Sequence, residues 1–155
     1  MSIAPIVAEV DVGQAPARAF DLFTSRIGDW WPGKTIGARP HVAIVIEPRA
    51  EGRWYERDAE GDECQWGKVL DWDPPRRVLL GWQLDQTFTY NPDFLTEVEI
   101  SFTALAAGGT RVRLEHRNLE RFGTEADRIA AMLRGGWQEK LDGFCGYFSE
   151  KEKVS

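Results

Sequence analysis

A chain of 155 residues has the size of one domain, and at that length folding buries about 68–70% of the unfolded surface around a single core. Lys plus Arg number 19 against 25 for Asp plus Glu, a net charge of −6, which argues against the concentrated positive surface that nucleic acid or an anionic membrane requires. With 43% hydrophobic and 28% charged residues, no apolar run near the ~20 residues of a membrane span and no signal-peptide pattern in Met1–Val12, residues 1–155 are expected to form one soluble, cytoplasmic domain.

Ala8, Val10 and Val12 alternate with Glu9 and Asp11, the pattern of a half-buried strand. Pro16 suits a first helical position, and Ala19, Phe20 and Phe23 follow at helical spacing, which predicts a short helix from Pro16 to Thr24. A second short turn or helix holds Ile27, Trp30 and Trp31 before Pro32 and Gly33 stop it, and Gly33–Pro40 reads as loop. From His41 the period changes to two. Six strands are expected, at Val42–Glu47, Gly52–Asp58, Glu63–Trp72, Arg77–Leu84, Thr96–Leu105 and Thr110–His116. The gaps between them are short turn sequences, so neighbouring strands run antiparallel. The one long link, Asp85–Leu95, carries Phe88, Tyr90 and Phe94; such a loop either touches a ligand or plugs the core beneath it.

The last segment is helical. Thr124 and Asp127 resemble a capping box, and Ile129, Leu133, Trp137, Leu141, Phe144 and Phe148 form one apolar stripe over about 26 residues. Gly135-Gly136 in its middle reads as a kink or a close backbone contact; the alternative is room left for a ligand beneath the helix. A sheet of seven strands must bury one face, and this helix is the large element available to cover it. Space left between the two would be a pocket.

Nucleotide loops, the hydrolase elbow and zinc-protease spacing are all missing. Cys64 and Cys145 match no metal or redox spacing, and neither a metal nor a cofactor is called for. Seven Trp, eight Phe and three Tyr are an unusual aromatic load, suited to a core and to a pocket for ring-shaped ligands. Trp30, Trp31, Trp66, Trp72 and Trp137 read first as core anchors. Strand parity turns His116 inward with Val112 and Leu114, either as a hydrogen-bonded core histidine or as a catalytic one. Parity also pairs Glu56 with Trp54. Glu56 is then either a carboxylate in an apolar cavity or, as its place near a strand end favours, a group in water or paired with Lys68. Charged outer positions such as Glu97, Glu99, Arg111 and Arg113 read as a solvated sheet face.

The run Glu47-Pro48-Arg49-Ala50-Glu51-Gly52-Arg53-Trp54-Tyr55-Glu56-Arg57 carries a family pattern. So do Trp66-Gly67-Lys68-Val69, Trp72 to Val78, Thr96 to Phe102, Gly109 to Val112, Leu114-Glu115-His116 and Gly136-Trp137, in that order. Together they resemble the bacterial single-domain relatives of the C-terminal domain of the activator of the heat-shock-protein-90 ATPase, within the START-like, helix-grip superfamily. The resemblance runs from Ile6 to Phe148; Glu51 departs from the glycine more usual in that turn. It implies an α+β fold of order β-α-α-β6-α, a curved seven-stranded antiparallel sheet wrapped around a long C-terminal helix. It also implies a cavity for a small hydrophobic or aromatic, lipid- or polyketide-like molecule.

Trp54, Trp82, Phe102, Leu114, His116, Leu133 and Trp137 are expected to line that cavity. A cyclase or hydrolase using Glu56 and His116 as acid and base is the first alternative. A chaperone-interaction module is the second. Contact with the chaperone is not expected, because the eukaryotic activators carry a separate N-terminal domain for which this chain leaves no room. The terminal strand edges carry no obvious block, which permits a homodimer.

Overall fold

Short turns between strands of period two leave each strand beside its predecessor, and the sheet that results is an antiparallel meander closed by the first strand. The computed structural model describes residues 3–32, 35–37 and 39–154, with side chains described up to residue 147. Its strands are β1 (Ile6–Val12), β2 (His41–Ile46), β3 (Arg53–Asp58), β4 (Glu63–Asp73), β5 (Arg77–Trp82), β6 (Thr96–Ala104) and β7 (Thr110–Arg117). They lie in the order β1-β7-β6-β5-β4-β3-β2, all antiparallel, so β1 and β2 form the two edges. Helices α1 (Pro16–Ser25) and α2 (Ile27–Trp30) follow β1, and α3 (Ala126–Val154) ends the chain. Among the described residues no helix is long and apolar enough to cross a membrane.

Parity fills the inner face of the sheet. Val78, Leu80 and Trp82 of β5, Val98, Ile100 and Phe102 of β6, and Val112, Leu114 and His116 of β7 are all buried. Ile129, Leu133, Trp137, Leu141 and Phe144 of α3 are buried as well, and α3 packs along β1 and α2. The Phe148 side chain lies outside the described residues. Outside, Arg77 and Arg117 both reach Glu99, and Arg111 pairs with Asp11, a charged surface facing water.

Three sequence expectations change here. The capping box is absent: the chain leaves β7 through Asn118 in left-handed conformation and enters a 3-10 helix, Leu119–Glu125, that already contains Thr124. The helical path breaks at Gly123, φ 71°, and Ala126 donates its N–H to the Gly123 carbonyl, so the turn that leads into α3 begins at Gly123 and not at a Thr124 cap. Strand β5 stops at Trp82, and Leu84 makes only an isolated bridge to Tyr90 across the long link. Finally, α3 runs unbroken through Gly135-Gly136, and a Cβ built on either glycine meets nothing within 4 Å. Close backbone packing therefore does not explain the pair.

Candidate functional site

Five indoles from five segments close a ring. Trp31, just past α2, lies 5.1 Å from Trp66 of β4, which lies 5.3 Å from Trp54 of β3. Trp54 lies 6.0 Å from Trp82 of β5, Trp82 lies 5.6 Å from Trp137 of α3, and Trp137 returns to Trp31 at 6.0 Å. Every spacing is that of edge-to-face or tilted aromatic contact, worth about 0.5–1.5 kcal/mol per pair beyond burial. Register makes room for it. Gly67 sits between Trp54 and Trp82 in the β3–β4–β5 row, so no side chain separates the two rings. A Cβ there would also stand 1.8 Å from the Gly81 carbonyl oxygen, so β4 and β5 tolerate no larger residue.

Two adjoining cavities open from this ring. One, of about 320 Å³, lies under α3, with Leu133, Gly136, Trp137 and Lys140 facing Trp31, Trp82 and Phe88, and with Met132 at its margin. The other, of about 160 Å³, shares Trp31, Trp82 and Phe88 and continues to Trp66, Leu84, Thr35 and Ile36. Phe88 reaches both from a left-handed backbone, φ 58°. A bulky residue held there costs on the order of 1 kcal/mol and persists where its surroundings require it. Here the Asp85 side chain fixes the turn, accepting from the Thr87 N–H at 2.9 Å and the Thr89 N–H at 3.3 Å. A larger groove of about 690 Å³ runs between α1 and the turns at Pro48 and Pro74-Pro75, floored by Phe20 and Trp72. Its Thr24 hydroxyl is already spent on the Phe20 carbonyl at 2.8 Å, and its acidic group, Asp21, is exposed, so the indole-walled cavities are the better candidate.

Glu56 is buried, 3% exposed, and on the inner side of β3. Its carboxylate accepts from the Trp66 indole N–H at 2.9 Å, the Gly37 N–H at 3.1 Å and the Thr35 hydroxyl. The expectation of a solvated Glu56, or one paired with Lys68, fails. Lys68 stands opposite Arg53 in the register, on the other face, and pairs with Glu51 at 3.7 Å. Three donors replace the water a buried carboxylate loses. The arrangement moors the segment carrying Thr35 and Ile36 to the cavity wall.

His116 is fully buried, with both ring nitrogens committed. The Trp137 indole N–H donates to Nδ1 at 3.0 Å, so the proton of the neutral ring sits on Nε2 and goes to the Thr96 hydroxyl at 2.8 Å. Burial pushes its pKa down to about 3. It is a joint between β7, β6 and α3.

Of the seven expected lining residues, Trp82, Leu133 and Trp137 form the cavity walls. Trp54 stands behind them in the indole ring, while Phe102 packs on Phe20 and Phe23 at the other end of the core. Leu114 and His116 are fully buried outside the walls. Glu56 and His116 are not brought together: β4, β5 and β6 lie between their strands, ~19 Å along the sheet at the usual strand spacing. Sequence reasoning missed Trp31 and Lys140 as lining residues, and it left Phe88 open, on a link that either touches a ligand or plugs the core. A signal for one existed, because Leu133, Gly136, Trp137 and Lys140 fall at i, i+3, i+4 and i+7 and so share a helix face.

A curved antiparallel sheet gripping one long helix, with an aromatic hollow between them, defines a START-like, helix-grip protein. The sequence model of the Activator of Hsp90 ATPase homolog 1-like proteins matches residues 14–149, and the chain belongs to that family. Among solved structures it resembles Txn09, an anthrahydroquino-gamma-pyrone synthase, at 36% identity and TM-score 0.66, over 94% of this chain and 97% of that one. It also resembles CalC, a self-sacrificing resistance protein from Micromonospora echinospora, at 27% identity and TM-score 0.72, over 96% of each chain. Protein MLL2253 from Mesorhizobium loti shares the fold, with 18% identity and TM-score 0.69 over 94% of this chain and 97% of that one. Comparison with curated proteins gave no match.

Proposed function

We propose that the protein binds a small, planar aromatic molecule in the paired cavities beneath α3. The observation that carries this reading is the closed ring of five indoles, which borders both cavities through Trp31 and Trp82. Indole faces and edges suit flat π-systems, and they suit a flexible alkyl chain less well. A wall missing its side chain at Gly136 supports the same reading, as does the likeness to Txn09, named as an anthrahydroquino-gamma-pyrone synthase. That likeness also favours a second reading, turnover of the bound aromatic. Glu56 and His116 are poor candidates for it, since hydrogen bonds within the protein occupy both.

The indole ring supplies its own reporter. Titration with anthraquinone-2-carboxylate is expected to quench tryptophan emission saturably, with an affinity at least tenfold tighter than that of decanoate, which displaces it only weakly. No saturable quenching, or decanoate binding as tightly as the anthraquinone, would overturn the reading.

A further inference from the structure

Among the described lining residues of the two cavities, the polar side-chain groups are mainly donors. Lys140 is the one ionisable side chain among their described lining residues, and its ammonium lies 5.2 Å from the centroid of the Trp31 ring. Its side chain is only 16% exposed, against 63% for Glu139, the carboxylate that it meets at 3.3 Å. Its other partner is the Pro32 carbonyl at 2.9 Å. No buried carboxylate therefore balances this cation among the described residues, although acidic residues outnumber basic ones by 25 to 19. Glu56, the nearby buried acid, is taken up by Trp66, Gly37 and Thr35. The Trp31 indole N–H, in the wall shared by both cavities, is buried and has no acceptor among the described residues. Thr35 spends its hydroxyl hydrogen on Glu56.

From this asymmetry we infer that Lys140 recognises an anionic oxygen on the ligand, so that the site selects acidic aromatics, aryl carboxylates or phenolates, over neutral ones. The inference rests on the aromatic-binding reading above. A desolvated ammonium beside an indole face repays its burial by charge-assisted hydrogen bonding to such an oxygen, and the Pro32 carbonyl and the Trp31 ring hold it in place. The apolar walls select the rings, and Lys140 selects the acid.

The test is a matched pair of probes, anthraquinone-2-carboxylate and anthraquinone-2-carboxamide, titrated against the wild type, Lys140→Met and Lys140→Arg. The wild type is expected to prefer the carboxylate by about tenfold, the usual worth of one charge-assisted hydrogen bond. Lys140→Met should bind both probes with the amide's affinity, and Lys140→Arg should keep the preference. If Lys140→Met keeps the wild-type ratio, the role of Lys140 is overturned while the cavity stands. If neither probe binds the wild type, the binding site itself falls and Lys140 with it.

Discussion

Gly136→Leu is expected to weaken aromatic binding close to a hundredfold and, at the same time, to make the protein more stable. The two effects have separate causes. Beyond its own helix backbone, a Cβ at residue 136 meets nothing within 4 Å, and residue 136 lines the cavity under α3, so a leucine there projects into that space. It then occupies space that a ligand ring would fill; losing about 100 Å² of ligand burial costs about 2.5 kcal/mol, close to a hundredfold in affinity. Replacing a mid-helix glycine by leucine adds about 0.8 kcal/mol to helix stability, which raises Tm by about 2–3 °C in a chain of this size. Gly135→Leu is the control. Gly135 is exposed and outside the cavity wall, so this variant should gain the same stability and bind as the wild type does. Equal binding by Gly136→Leu and the wild type in a probe titration would move the site elsewhere.

Acid should destabilise the fold steeply through His116. Folded His116 has its pKa lowered to about 3 by burial, whereas the unfolded imidazole titrates near 6.5. Between these values the unfolded state carries a proton that the folded state refuses, so stability falls as pH falls, by about 1.4 kcal/mol per pH unit. Above about pH 6.5 both states are neutral and the effect vanishes. Burial is the cause, and the hydrogen bonds leave the ring no place for a second proton, since one on Nδ1 would face the Trp137 N–H, a donor against a donor. His116→Gln keeps a polar group at the joint without a titrating proton. Urea unfolding at pH 7 and pH 5 should show the wild type losing about 2 kcal/mol more than this variant, with the carboxylate contributions common to both. The same pH dependence in both proteins would contradict the assignment.

Much of this was legible because a strand leaves only two faces. Val112, Leu114 and His116 read as one row and Trp54 with Glu56 as another, and both rows are buried. The turns told which strands were neighbours, since a link of a few residues permits little else. What parity cannot give is partnership across the chain. Glu56 turned on Thr35 and Gly37, some twenty residues back in a segment without period, and on a Trp66 that read as a core anchor. Lys68 was the wrong partner because the register put it beside Arg53 on the other face. The ring of indoles draws on five segments, so no local pattern contains it. Phe88 enters the wall through a positive φ, which composition does not reveal. Phe102 shared the inner face with true wall residues but lay at the α1 end of the sheet; parity fixes the face and leaves position along it open.

The space beneath α3 is expected to hold an aromatic ligand. Native mass spectrometry of the wild type and Gly136→Leu, both purified without detergent from the protein's own host, tests it most directly. The wild type should carry a discrete adduct of drug-like mass that is lost on unfolding, or take up anthraquinone-2-carboxylate one to one, and Gly136→Leu should do neither. A wild type that stays bare after incubation with the anthraquinone, or an adduct equally present on Gly136→Leu, would contradict the account.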